Sequence, residues 1–111
     1  MGREKAGLYV SRKARSDLAE IAAYYGRESL DLELAFLSAM EQAFDQIAAT
    51  PRIGVRREYL HPTMKSLRFW CVPHFFNILI FYREHAGTVE IVRLLHSSRD
   101  IDFLLYDPEE E

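Results

Sequence analysis

Residues 75–95 read FFNILIFYREHAGTVEIVRLL, and this stretch decides the fold. Its first eight residues are nearly all apolar, which is typical of a central strand that is covered on both faces. A turn follows at residues 85–87, where Gly87 supplies the positive φ that a tight hairpin needs. Residues 88–95 are mostly β-branched and aliphatic and predict the next strand. The stretch therefore predicts a β-hairpin at the centre of an antiparallel sheet.

The residues on either side of this hairpin predict three further short elements. Residues 67–72 (LRFWCV) alternate in character and are closed by Pro73, so they predict a strand. Residues 8–10 predict a short strand at the start of the chain. After the last strand, Ser97 and Ser98 are placed to cap a short final helix.

The first half of the chain predicts two amphipathic helices. Ser11 is placed to cap the first and Asp31 to cap the second, which ends at Thr50 because proline at the next position disfavours helical geometry there. The apolar positions at helical spacing are Ala14, Leu18, Ile21, Ala22 and Tyr25 in the first helix, and Leu37, Met40, Phe44 and Ile47 in the second. We therefore predict an α+β fold: an N-terminal helical hairpin packed on a small, mainly antiparallel sheet, with a short C-terminal helix.

The composition is that of one small soluble domain, which we place at residues 1–106, followed by an acidic tail at 107–111. The chain has 111 residues, of which 49% are hydrophobic, and its one cysteine, Cys71, excludes an internal disulfide. No apolar run reaches the roughly 20 residues of a membrane span, so we expect a cytoplasmic protein with no membrane contact. The glycines form no nucleotide-binding motif and the histidines no ligand pair at helical spacing, so we expect neither cofactor nor metal.

The charge is uneven along the chain. The net charge is −3, yet residues 51–106 carry eight basic and five acidic residues. A nucleic-acid-binding domain is usually strongly basic. We therefore do not expect direct nucleic-acid binding.

Polar residues that interrupt or end the apolar strands are the candidate functional residues. An arginine is costly to bury without a partner, so each must face solvent, a carboxylate or a ligand. A structural role is the simpler alternative: an arginine on an exposed strand face, or Arg99 and Asp100 tying the last turn to the sheet. His96 is either a structural histidine at a strand end or a general base. The candidate partner-binding residues are Arg68, Arg83, Arg93, His96, Arg99 and Asp100.

Three segments resemble the RelE/ParE superfamily of bacterial toxins, the toxic halves of toxin–antitoxin pairs. They are LYVSRKARSDLAEIAAYY at 8–25, SLRFWCVPHFFNILIFYR at 66–83 and VEIVRLLHSSRDI at 89–101. Their order and spacing match the superfamily over about residues 7–105. The fold known for this superfamily agrees with the layout that the periodicity predicts.

The resemblance is stronger to the ParE-like branch, particularly in Arg83, His96, Arg99 and Asp100. It implies a type II toxin that inhibits DNA gyrase by binding it, without catalysis of its own, and that a cognate ParD-like antitoxin neutralises in a hetero-oligomer. Antitoxins of such pairs usually cover the helical hairpin and sheet of the toxin. We expect exposed apolar positions on the hairpin, such as Tyr24 or Phe36, to make that contact, although each would also serve as core. The arginines of the strands are expected to form one basic face.

Two alternatives remain open at this point. A RelE-like member would be a ribosome-dependent mRNA endoribonuclease, with His96 and Arg99 as a minimal acid–base set. A non-toxic regulatory member would bind the antitoxin only. We predict that Arg99→Ala weakens either toxicity or the fold.

Overall fold

The computed structural model describes residues 6–56 and 66–105 and has the predicted α+β architecture. Two helices form the hairpin, followed by a sheet and a short final helix. The elements in chain order are β1 (Gly7–Val10), α1 (Arg12–Gly26), α2 (Leu30–Ala49), a single 3-10 turn (Pro51–Ile53), β2 (Val55–Arg56), β3 (Arg68–Val72), β4 (Phe75–His85), β5 (Thr88–His96) and α3 (Ile101–Leu105). Among the described helices, none is long and apolar enough to cross a membrane.

The sheet has five strands in the order β1-β5-β4-β3-β2. The predicted hairpin, β4 and β5, lies at its centre and turns at Ala86 and Gly87, whose φ angles of 51° and 79° are both positive. β3 and β2 continue the sheet antiparallel on one side, and β1 pairs parallel to β5 on the other. Strand β2 was not predicted, because two residues carry no periodicity.

The helices begin where a serine hydroxyl accepts an amide proton of the first turn. Ser11 caps α1 as predicted, with its Oγ 3.0 Å from the amide nitrogen of Ala14. The predicted cap Asp31 for α2 was wrong: Ser29 has the extended backbone of a cap and accepts from Leu32 at 3.0 Å. Asp31 lies in the first turn, where its charge is favourable to the helix dipole.

The final helix also has a different cap from the predicted serines. Asp100 accepts from the amide of Phe103 through Oδ1 at 3.4 Å and from that of Leu104 through its carbonyl at 3.0 Å. Ser98 instead bonds to His96. Of the candidate partner-binding residues, Asp100 therefore has a structural role in this fold.

The main core lies between the helical hairpin and one face of the sheet, and it corrects one prediction. On α2 the buried stripe runs through Phe36, Met40 and Ile47, whereas Leu37 is 36% exposed. Phe36 is fully buried because its ring packs against Tyr25 and Phe75, with ring centroids 5.2 and 5.3 Å apart. The expectation that Phe36 offers an exposed contact is therefore wrong for this fold. Full burial of such a side chain stabilises the fold by about 1.5–3 kcal/mol.

A smaller cluster covers the other face of the sheet. The residues of α3 close this cluster over β3, β4 and β5. Its buried members are Leu67, Phe81, Leu95, Ile101 and Leu105. Strand β4 is therefore covered on both faces near its middle, as its apolar run predicts.

A buried tyrosine fixes the turn before β2 to the sheet. The hydroxyl of Tyr82 donates to the carbonyl of Pro51 and accepts from the amide of Gly54, both at 2.7 Å. Arg68 then donates to the carbonyl of Gly54 at 2.9 Å. Burial raises the pKa of Tyr82, an effect that the Gly54 hydrogen bond and the Arg68 charge partly oppose.

Candidate functional site

An open cleft of about 550 Å³ lies between α1 and the ends of β4 and β5. Apolar side chains of α1 and the sheet form much of its surface. Charged and polar side chains also line the cleft. The residues that line it are Asp17, Glu20, Ile21, Tyr24, Tyr25, Glu28, Asn77, Ile78, Arg93, Leu94, Leu95, His96 and Arg99.

Residues near the start of α1 form hydrogen bonds with backbone groups at the edge of β5, beside this cleft. Strand β1 pairs with β5 only as far as Ile91, so the next residues of β5 have no strand neighbour on that side among the described residues. Ser11 donates from its hydroxyl to the carbonyl of Val92 at 2.9 Å. Asp17 accepts from the amide of Leu94 at 3.0 Å. Helix α1 thus takes the hydrogen bonds that another strand would make.

Asp17 also binds Arg93 through both carboxylate oxygens. The distances are 2.7 Å from Nε to Oδ2 and 3.0 Å from Nη2 to Oδ1, and both side chains are mostly buried. The third guanidinium nitrogen of Arg93, Nη1, donates to the carbonyl of Leu104 on α3 at 3.0 Å. The hydrogen bond with Asp17 raises the pKa of Arg93 above its ordinary value. Arg93 is therefore occupied within the fold by a carboxylate, and it does not lie on an exposed strand face as the structural alternative had it.

The turn after β5 holds the imidazole of His96 in a fixed arrangement. The amide of Arg99 donates to the carbonyl of His96 at 3.0 Å, and the amide of Ser97 donates to the carbonyl of Asn77 at 2.8 Å. Nδ1 of His96 accepts from the amide of Ser98 at 3.1 Å and lies 2.7 Å from its hydroxyl. Because an amide can only donate, Nδ1 carries no proton in this arrangement, and a neutral ring carries it on Nε2. His96 therefore presents a donor, and not a free base, through its remaining nitrogen.

The structure brings four of the predicted residues together and separates the others. Tyr24, Arg93, His96 and Arg99 line the cleft. Arg83 lies elsewhere in the sheet and pairs with Glu90 at 3.1 Å. The partner-binding roles predicted for Arg83, His96 and Arg99 stay predictions.

The expected basic face of strand arginines does not form. Arg68 lies opposite Tyr82 and Arg93 opposite Phe81 in the sheet register, so the two arginines lie on opposite faces. Arg68 bonds to the backbone beside Tyr82, and Arg93 bonds to α3 on the other side. A partner cannot contact both guanidinium groups as one patch.

Sequence reasoning missed the acidic wall of the cleft. Glu20 lies on α1 and Glu28 in the turn that follows it, each four residues from Tyr24, and all three residues line the cleft. Tyr24 is 59% exposed between them. The spacing of these residues was a usable signal, but the same pattern is common on ordinary solvated helix faces.

A second missed feature is an apolar stripe on the exposed side of α2. Leu30, Leu34 and Leu37 are 66%, 54% and 36% exposed and follow each other at helical spacing.

Within the described residues, no group of three or more His, Cys, Asp or Glu side chains is arranged to hold a metal ion. The two candidate surfaces are a charged cleft beside α1 and a leucine stripe on α2.

Comparison with known proteins identifies the fold and the family. A solved structure described as the chromosomal ParDE TA system from P. aeruginosa shares the fold, with a TM-score of 0.67 at 17% identity. The match covers 83% of this chain and 96% of that one. The two proteins therefore share this α+β fold.

Comparison of the sequence with known proteins shows the family of this chain. The model of the family described as ParE toxin of type II toxin-antitoxin system, parDE, matches residues 8–101. Toxin ParE1 of Mycobacterium tuberculosis, from strain CDC 1551 / Oshkosh and from strain ATCC 25618 / H37Rv, is 32% identical over 95 residues. Those matches cover 84% of this chain and 91% of the relatives. The chain therefore belongs to the ParE toxin family.

Proposed function

We propose that this ParE-family toxin stops bacterial growth by binding DNA gyrase in the cytoplasm, and that a cognate ParD-like antitoxin neutralises it in a hetero-oligomer. Family membership is the observation that carries the proposal. The gyrase target is what the resemblance of the chain to the ParE-like branch implies.

The geometry of the cleft supports binding over catalysis. A ribonuclease needs a base to take the proton of the 2′-hydroxyl and an acid for the leaving oxygen. Nδ1 of His96 already accepts from Ser98, and the neutral ring carries its proton on Nε2. Glu20 and Glu28 on the facing wall would also repel an RNA backbone. These features disfavour the RelE-like alternative.

The leucine stripe on α2 is the surface that we propose for the antitoxin. Three neighbouring leucines exposed at helical spacing fit the apolar face of an amphipathic partner helix. All charged residues of α2 are acidic: Asp31, Glu33, Glu41 and Asp45. We therefore expect the antitoxin segment to carry apolar anchors flanked by lysine or arginine, with Tyr24 on α1 as a further contact.

The first experiment is pulse-labelling of DNA and protein synthesis in bacteria minutes after induction of this chain without antitoxin. We expect DNA synthesis to fail first and translation to continue. Purified toxin should then inhibit supercoiling by gyrase. Immediate loss of translation would contradict the proposal in favour of the ribonuclease. Normal growth at confirmed expression would contradict it in favour of the regulatory member.

The antitoxin surface has a matched control in the chain. Leu34 on α2 and Leu8 on β1 are both exposed leucines, at 54% and 41%. Leu34→Gln should weaken binding of the antitoxin encoded beside this gene, measured by calorimetry, whereas Leu8→Gln should leave it unchanged. Equal effects of the two substitutions would contradict the assignment of the α2 stripe.

A further inference from the structure

Exposed charges of both signs line the cleft beside α1. Glu20 on α1, Glu28 in the turn after α1 and Arg99 in the turn after β5 all line the cleft, and all three residues are exposed. Within the described part of the chain, none of these three side chains forms an ion pair, either with each other or with a neighbour.

The other ionic groups of the cleft are already satisfied. Asp17 and Arg93 bind each other through two hydrogen bonds and are mostly buried. The charges open to an incoming partner are therefore carboxylates on one wall and a guanidinium on the other. His96 adds an N–H donor at Nε2 on the side of Arg99.

Between the charged walls the surface is apolar and aromatic. Ile21, Ile78 and Leu95 line the cleft, and the exposed ring of Tyr24 lies between the two glutamates. A tyrosine face attracts a cation that lies over it, and flanking carboxylates strengthen that preference. The α1 wall is thus suited to an arginine or lysine side chain.

These features favour an occupant that carries both signs of charge. A nucleic acid carries one negative charge per nucleotide and would meet the two glutamates along its length. A polypeptide can present a cation, an apolar side chain and a carboxylate within a few residues. Electrostatic complementarity of this kind fixes the register and the choice of partner.

We propose that the cleft binds a short segment of another protein, with lysine or arginine against Glu20 and Glu28, an apolar side chain over Ile21 and Leu95, and aspartate or glutamate against Arg99 and His96. This proposal concerns the chemistry of the bound segment. It does not depend on gyrase being the target.

The test is a selection of displayed random dodecapeptides on the full chain, followed by binding of the synthetic consensus peptide measured by fluorescence anisotropy. The wild-type chain should select peptides that contain both a basic and an acidic residue. Arg99→Glu should weaken binding of the consensus about tenfold or more, and changing the acidic residue of the peptide to lysine should restore it. The double variant Glu20→Lys, Glu28→Lys should also bind the consensus peptide more weakly. Changing the basic residue of the peptide to glutamate should restore its binding.

Two exposed residues away from the cleft provide control variants, each of which reverses a single charge. Glu84→Lys and Arg56→Glu should bind the consensus peptide as the wild type does. The proposal is overturned if no peptide is enriched, if the cleft variants bind like the controls, or if the charge-swapped peptides fail to restore binding. Tighter binding of a single-stranded RNA oligonucleotide that Arg99→Glu abolishes would also overturn it and assign the cleft to nucleic acid.

Discussion

Asp17 and Arg93 are 76 positions apart in the sequence and form a two-point ion pair that joins three elements of the fold. Asp17 belongs to α1 and Arg93 to β5, and Arg93 also holds the carbonyl of Leu104 on α3. The same carboxylate accepts from the amide of Leu94. The pair therefore fixes the helical hairpin and the final helix to the strand that leads into the cleft.

Asp17→Asn should destabilise the protein by about 2–4 kcal/mol, because it leaves the mostly buried guanidinium of Arg93 without a counter-charge. Urea unfolding followed by circular dichroism measures the loss. The matched control is Glu90→Gln, which removes the partner of Arg83 in a more exposed pair and should cost less than about 1 kcal/mol.

A double-mutant cycle separates the interaction energy between Asp17 and Arg93 from the contributions of their surroundings. The double variant Asp17→Asn, Arg93→Met should lower the free energy of unfolding by less than the sum of the two single variants, because removing both charges leaves neither uncompensated. Strict additivity would show that Asp17 acts only through the amide of Leu94.

The fold could be predicted from local patterns, whereas the pairing of the polar residues could not. The apolar run at 75–82 and the helical spacing in the first half depend on neighbouring residues and predicted their elements correctly. The partner of Arg93 is 76 residues away, so no local pattern contains it. The same limit applies to Tyr82, whose hydroxyl is satisfied by residues of the segment before β2.

The errors on α2 have a local cause. The helix is rich in apolar residues, so two buried stripes one residue apart both fit its periodicity, one through Phe36 and one through Leu37. Packing of Phe36 against Phe75 selects the first, and the second is left partly exposed. Sequence periodicity therefore located the helix and its buried residues Met40 and Ile47, but it placed Leu37 in the core and missed the exposed leucine stripe.

Tyr82→Phe should destabilise the protein by about 2–4 kcal/mol, because it leaves the amide of Gly54 and the carbonyl of Pro51 without their partner. Tyr24→Phe is the control: Tyr24 is exposed, and its substitution should change the free energy of unfolding by less than about 0.5 kcal/mol. Thermal and urea unfolding of the two variants provide the comparison.

The same tyrosine predicts a pH dependence of stability. Burial raises the pKa of Tyr82 above its ordinary value of 10.0, so the neutral hydroxyl contributes its full stability below that pH. The contribution is lost as the pH rises through the higher pKa of the folded state. The free energy of unfolding should therefore fall above pH 10.0 less steeply in Tyr82→Phe than in the wild type. Part of the fall should remain, because burial also raises the pKa of Tyr25. Identical slopes in the two proteins would contradict the role given to Tyr82.

Gly54→Ala should destabilise the protein by about 1–3 kcal/mol. A β-carbon at this position would lie 2.7 and 2.8 Å from ring atoms of the buried Tyr82, which cannot move away. Gly7→Ala is the control, because its β-carbon would meet nothing closer than 3.5 Å. A loss of stability that is the same in both variants would mean that the effect does not come from contact with Tyr82.

Ala86→Asn should stabilise the protein by about 0.5–1 kcal/mol. Ala86 has a φ of 51° in the two-residue turn between β4 and β5, a region that is costly for alanine and well tolerated by asparagine. Asn-Gly is also the preferred pair for this turn. The melting temperature of Ala86→Asn should exceed that of the wild type, and that of Ala86→Val should fall below it, since a β-branched residue is strained at positive φ.

Arg99→Ala should leave the fold intact and reduce toxicity. The side chain of Arg99 is exposed and makes no hydrogen bond or ion pair within the described residues, so its loss should change the melting temperature by less than about 2 °C. Of the two outcomes predicted for this substitution, the geometry disfavours a loss of stability, and the loss of toxicity stays a prediction. Growth after induction, at equal protein levels, measures the toxicity of the variant. Arg56→Ala, at an exposed arginine on β2, should remain as toxic as the wild type. A folded Arg99→Ala variant with full toxicity would remove this residue from the functional site.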